Sequence, residues 1–230
     1  MPALARIAIL VFGSVLVDLP EASAAVITIP PRTLTATSVS GSAGAPTVYV
    51  WDNFDRANGA IGSAVVGGVW GQNIGSWTIQ ANQARATSIA TGNVTISVPN
   101  VVNGRIDVDL TFGATAQAGV DFDDDGSNNM MVLYRKSGAT SQVRLYTWIG
   151  TGALPPPVAT ANVTTATTAA LAVVANGSTV QVLWNGTQII NYTLTATEIA
   201  ALKNAGSNQV GLWAELDSTS RFDNFRFQSP

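Results

Sequence analysis

No cysteine and no histidine occur anywhere in the sequence. The first absence excludes a disulfide framework, a thiolate nucleophile and Cys-bound zinc. The second removes the commonest general base and the commonest metal ligand together. Charge is scarce too. Asp, Glu, Lys and Arg make up 11% of the residues, well under the usual share of about a quarter. With 11 basic and 14 acidic residues the net charge is −3, and no basic cluster exceeds Arg135-Lys136. The electrostatic footprint of a nucleic-acid binder is therefore missing. The apolar run from Ile7 to Val17 is too short to cross a bilayer as a helix.

The place of charge is taken by Thr, Ser, Asn, Ala and Gly, residues that suit short strands and tight turns. A chain of 230 residues is long enough for one large all-β domain and a small appendage. Segments that alternate or run apolar recur along it: Val94 to Val98, Gly104 to Phe112, Met130 to Lys136, Gln142 to Ile149 and Gln209 to Leu216. Between Ala170 and Thr195 two Asn-Gly pairs, Asn176-Gly177 and Asn185-Gly186, punctuate apolar alternation. Asn-Gly tolerates the positive φ angles of a type I′ turn, so these pairs predict three antiparallel strands in a meander. One helix is expected. Thr195 to Glu198 fits a capping box, with apolar residues after it and a stop at Gly206. Ten or more short strands with frequent turns predict an antiparallel β-sandwich or jelly roll.

An Asp-Asn-Phe triplet stands near both ends of this region, in WDNFDRANGAIGS (Trp51 to Ser63) and in RFDNFRF (Arg221 to Phe227). Two copies are too few for a repeat architecture. They predict instead a first and a last strand that meet, with Phe54 and Phe225 pointing inward. The opening motif, the segment GVWGQNIGSWTIQANQAR and the ending NQVGLWAELDSTSRFDNFRF resemble the concanavalin A-like lectin/glucanase domains of bacteriophage tail and other virion proteins. The resemblance covers residues 48 to 228. It implies a concanavalin A-like jelly roll in a virion component, a minor tail or capsid decoration protein that displays a lectin-like domain.

Residues 1 to 46 lie outside that resemblance, and two readings of them are open. Arg6, the apolar run and Ala22-Ser23-Ala24 have the outline of a secretory signal with its cleavage site. The expectation adopted is that the segment is kept as a β arm, turned at Gly13 and around Pro20. GSAGAPT (Gly41 to Thr47) would link it to the main domain. So small an apolar segment does not bury itself alone. An anchor on other virion proteins and a homo-oligomer are therefore expected, with no membrane span.

Candidate chemistry is sparse. Glucanases of the resembling group use a Glu-x-Asp-x-x-Glu strand, and retaining hydrolysis needs two carboxyls about 5 Å apart. The nearest match is Glu215-Leu216-Asp217, where two-residue spacing would put both carboxyls on one strand face. Ser220 stands where the third acid is required, so the motif is broken and the chain is expected not to be an enzyme. In GVDFDDDGSNN, Asp121, Asp123, Asp125 and Gly126 fall at positions 1, 3, 5 and 6 of a calcium-loop pattern, but position 12 is Val132 in place of Glu. A solvated hairpin loop is the expected reading and calcium the lesser one, so no cofactor is expected. Of the six tryptophans, Trp148 in TWIGTGALPPP is the candidate sugar platform. Trp51, Trp70, Trp77, Trp184 and Trp213 sit in strand-like patterns that suit core packing. The expected ligand residues are thus Trp148, Asp121, Asp123 and Asp125, and the expected ligand is a host-surface glycan.

Overall fold

The computed structural model describes residues 10–11, 15–16, 45–87, 91–113, 117–138, 140–150, 152–203 and 208–230. The chain divides into two units, Met1–Ala45 and Pro46–Pro230. In the first, two short strands, β1 (Leu10–Val11) and β2 (Val15–Leu16), pair antiparallel. The rest of the expected arm, including its turns at Gly13 and Pro20, lies outside the described residues.

The second unit is a sandwich of two antiparallel sheets. One has seven strands in the spatial order β13 (Ala159–Thr164), β12 (Thr140–Trp148), β11 (Asn129–Arg135), β10 (Gln117–Asp124), β17 (Gln209–Ala214), β8 (Gly92–Ser97) and β5 (Gly71–Ile74). The other runs β16 (Thr187–Thr193), β15 (Thr179–Trp184), β14 (Thr168–Asn176), β9 (Gly104–Thr111), β18 (Arg221–Gln228), β7 (Gln83–Ala86), β6 (Trp77–Gln80) and β4 (Gly59–Ala60). A ninth strand, β3 (Val48–Asp52), also pairs with β18. Side chains alternate across a strand, so every second residue faces inward. From the seven-stranded sheet Val120, Phe122, Val132, Tyr134, Val143 and Leu145 enter the core; Ile106, Leu110, Leu171, Val173, Val182 and Phe222 meet them from the other. Each such side chain contributes on the order of 1.5–3 kcal/mol by leaving water.

The two Asp-Asn-Phe triplets do meet. Phe225 lies opposite Asp52 and Phe227 opposite Val50, and Phe54 and Phe225 are both fully buried. Asp52 is the centre of this junction. Its carboxylate accepts two bonds from the Arg56 guanidinium at 2.8 Å each, one from the Phe54 backbone N–H at 2.9 Å, and one from Trp70 Nε1 at 2.7 Å. Arg56 Nε also donates to the Ile61 carbonyl at 2.9 Å, and the Trp70 ring packs between Phe54 and Phe225. The Asp-x-Phe-x-Arg motif is therefore a buried lock between the first and last strands.

The predicted meander is β14-β15-β16. Asn185 and Gly186 both have positive φ (50° and 80°), as a type I′ turn requires. The other pair is offset by one residue: Asn176 still pairs with Thr179, so the loop is Gly177-Ser178. The capping box forms at α1 (Ala196–Leu202), with Thr195 and Glu198 bonded in both directions. The expected stop at Gly206 lies outside the described residues.

Two expectations are corrected here. The acidic segment is not a solvated loop. β10 carries through Asp124, and Asp121, Asp123 and Asp124 are all buried. The turn is confined to the next few residues, where Asp125 accepts from the backbone N–H groups of Ser127 and Asn128. Nor do Glu215 and Asp217 share a strand face. β17 ends at Ala214, and Leu216 takes a positive φ of 52° between them. Asp217 turns inward and accepts from Thr219 N, Thr219 Oγ1, Ser220 N and Ser220 Oγ. It organises a turn, and Ser220 is one of its partners.

Candidate functional site: a cleft on the outer face of the seven-stranded sheet

Opposite the core face, the seven-stranded sheet presents a second set of side chains. In one row across the strands stand Thr95, Gly211, Asp121, Met131 and Tyr146; in the next stand Asn93, Trp213, Gly119 and Leu133. The two glycines make room in this crowded layer. A Cβ at Gly119 would sit 1.8 Å from the Val132 carbonyl oxygen, and one at Gly211 would sit 1.9 Å from that of Val94. Trp213 lies across from Gly119, and the Asn93 amide passes beside Gly211 to Asp121.

Met131, Leu133, Tyr146 and Trp213 form a small apolar cluster separate from the main core, with Trp148 and Leu154 packed against it. Trp148 is half-buried and meets Trp213 edge-on, with ring centroids 6.5 Å apart. Beside the pair opens a cleft of about 480 Å³, walled by the turn after β10 and by Gly150 and Gly152. Its lining includes Asn73, Asn93, Asp124, Asn128, Asn129 and Gln209 beside the two tryptophans.

The polar floor is a connected network. Asn73 Nδ2 donates to Asn93 Oδ1 at 3.1 Å, to Thr95 Oγ1 at 2.8 Å and to Gln209 Oε1 at 3.2 Å. Asn93 Nδ2 donates to Asp121 Oδ2 at 2.8 Å. Burial pushes the Asp121 carboxyl well above the usual carboxylate range; the neighbouring Asp124 adds to the rise and the Asn93 bond opposes it. Asp124 accepts from the Gly126 backbone N–H at 2.7 Å and lines the cleft. Three buried polar atoms in or under the cleft have no partner: Asp121 Oδ1, Asn129 Oδ1 and Trp213 Nε1. Native proteins pair almost all such atoms, so these three are open to water or a ligand; Trp77 Nε1, Arg85 Nε, Asn208 Oδ1 and Gln228 Oε1 are unpaired elsewhere.

Of the residues expected to bind ligand, the structure brings Trp148 to the cleft and Asp121 beneath it. Asp123 takes a positive φ of 51° at a bulge and turns away to Lys203 and Asn208. Burial raises its carboxyl, and the Lys203 charge opposes the rise. Asp125 is consumed by its own turn, where Asn128 Nδ2 also donates to it. The three calcium-pattern carboxylates therefore do not converge. Among the described residues no group of three His, Cys, Asp or Glu side chains is placed to hold a metal ion. Sequence reasoning missed Asn73, Asn93, Asp124, Gln209 and Trp213. A signal was present in Gln209-x-Gly211-x-Trp213, whose alternate positions are polar, small and aromatic while the positions between are apolar. Trp51 also departs from the expected core role; it is 38% exposed.

No family model matches the sequence, and no curated protein matches it. Solved structures do. The carbohydrate binding module CBM66 from Bacillus subtilis superposes with a TM-score of 0.57 at 16% identity, covering 70% of this chain and 95% of that one. The CBM2 module of an evolved Dit from Lactobacillus casei BL23 phage J-1 gives 0.56 at 8%, covering 80% and 95%. SCLam, a non-specific endo-β-1,3(4)-glucanase from family GH16, gives 0.55 at 8%, covering 83% and 93%. This last likeness corrects the expectation that the chain is not an enzyme. A hydrolase is built on the same sandwich, so neither the fold nor the broken Glu215 motif sets glycosidases aside. By its two antiparallel sheets and by these likenesses, the chain has a jelly-roll sandwich fold, one shared by a carbohydrate binding module and a GH16 glucanase.

Proposed function

We propose that this protein binds a glycan in the cleft on the outer face of its seven-stranded sheet. The observation that carries the reading is one arrangement. An aromatic pair, Trp148 on Trp213, flanks a floor of side-chain amides and one carboxylate, with unpaired polar atoms beneath. Sugars present apolar C–H faces to aromatic rings and hydroxyls to amides and carboxylates, which is the chemistry this cleft offers. A carbohydrate binding module and a phage-borne module of the same fold support the reading. The test is a panel of immobilised neutral polysaccharides, probed with the wild type and with Trp148→Ala. The wild type should bind at least one member, and the variant should lose about tenfold or more in affinity, about 1.4 kcal/mol. Equal binding by both proteins would remove the cleft from consideration. Chelation of divalent metals is expected to leave binding unchanged.

We further infer that the domain is displayed on a bacteriophage particle, as a minor tail or decoration protein held by the apolar N-terminal segment to other virion proteins. The phage Dit module and the composition of residues 1 to 46 support this. Light scattering should find the whole chain oligomeric and the unit from Pro46 onward monomeric. Two identical monomers would favour a secreted module whose first 24 residues are a cleaved signal.

A further inference from the structure

Resting on the glycan-binding reading of the cleft, we propose that Asp121 and Asp124 form a carboxylic acid–carboxylate pair on its floor, which makes the site select uncharged over anionic sugars. Asp121 is fully buried, and its Oδ2 is engaged by Asn93 while Oδ1 meets no donor. A bulge in β10 sets Asp121 opposite Gly211 and Asp124 opposite Gln209, two residues apart on β17, so the two acids are neighbours on the same face of the sheet. Two carboxylates are acceptors only, so they lie together stably when one proton stands between them.

The surroundings offer no other compensation. Asp121 faces Asn93 from β8, Gly211 from β17 and Met131 from β11, none of them charged. Asp125 adds negative potential at Asp124. Lys203 is committed to Asp123 and to the Val102 carbonyl. Arg144 on β12 donates to the Gln142 side chain and reaches the Tyr146 hydroxyl at 3.5 Å, and it does not line the cleft. Among the described residues lining the cleft, Asp124 is the charged one.

One negative charge, held in place by the Gly126 N–H and the buried acid, accepts bonds from sugar hydroxyls without reorganising. The same charge repels a uronate, sulfate or phosphate group brought against it. Burial favours the protonated form of Asp121. Loss of that proton as pH rises would set two negative charges side by side and weaken binding.

The test uses the whole chain, the neutral polysaccharide it binds best and the carboxymethyl derivative of that polysaccharide, compared by calorimetric titration. The wild type should prefer the neutral form by at least about tenfold. Asp124→Asn should narrow that preference to within about threefold. Asp121→Asn, an isostere of the protonated acid, should keep the preference and lose the fall in affinity with rising pH. Carbon-13 NMR titration of the carboxyls should find Asp121 holding its proton to pH values above the ordinary carboxylate range. Equal affinity of the wild type for both polysaccharides, an unchanged preference in Asp124→Asn, or an Asp121 carboxyl that ionises within the ordinary carboxylate range would overturn the proposal. If no polysaccharide binds and Trp148→Ala changes nothing, the glycan reading fails by itself and the selectivity proposal falls with it; the NMR titration still decides whether the acid pair exists.

Discussion

Asp52 and Asp121 are both fully buried aspartates on strands of the same sandwich, but their surroundings are opposite. Asp52 receives four donated hydrogen bonds, two of them from a bidentate arginine, and it closes the junction of the first and last strands. Asp121 receives one amide, lacks a cation and has a second acid for a neighbour. The first environment satisfies a buried charge and makes it structural. The second leaves the group short of partners, where folding alone gains nothing from it. That contrast places architecture at the Asp-Asn-Phe junction and is consistent with the cleft as the proposed glycan site.

Breaking the structural member should have the largest effect. Asp52→Ala strands the Arg56 guanidinium and the Trp70 N–H, and should lower stability by about 3–5 kcal/mol in denaturant unfolding. A loss under about 1 kcal/mol would mean the junction is not a lock. Next comes the layer under the cleft. Gly211→Ala drives a Cβ against the Val94 carbonyl and should cost about 1–3 kcal/mol.

The functional member should respond in the opposite sense. Because the folded Asp121 carboxyl is raised above its unfolded value of about 3.9, folding takes up a proton between the two values. Stability from this group is therefore full below about pH 4 and is lost as pH rises toward the folded value. Asp121→Asn escapes that loss, so it should be more stable than the wild type by about 1–2 kcal/mol near neutral pH and no more stable at about pH 3. Thermal unfolding at both pH values checks this. A destabilised variant at neutral pH would mean that Asp121 is a satisfied structural carboxylate like Asp52. The smallest effect is local: Thr195→Ala removes one half of the capping box and should cost about 1 kcal/mol.

Much of the junction was legible in the sequence, because repeated Asp-Asn-Phe triplets and inward phenylalanines follow from strand alternation. The meander and the capping box were legible for the same reason: turn and cap chemistry is local. The cleft was legible only at Trp148 and, beneath it, at Asp121. Its other parts come from five strands scattered between Gly71 and Ala214, and register across a sheet is a long-range property. The acidic run misled for a physical reason. Asp, Gly, Ser and Asn favour turns, and the strand that buries Asp121 and Asp124 is fixed by its neighbours instead of by its own composition. Glu215 and Asp217 misled similarly, since two-residue spacing aligns side chains only while the strand lasts.

The most direct test of the account is a proton–nitrogen NMR titration of the protein with the polysaccharides of the panel. It should follow the indole N–H signals of Trp148 and Trp213 and the side-chain amides of Asn73, Asn93 and Gln209. The account predicts that these signals shift together, with a common saturation curve, while the Trp70 indole bonded to Asp52 stays still. Shifts confined to the nine-stranded sheet or to the Asp52 junction would contradict it.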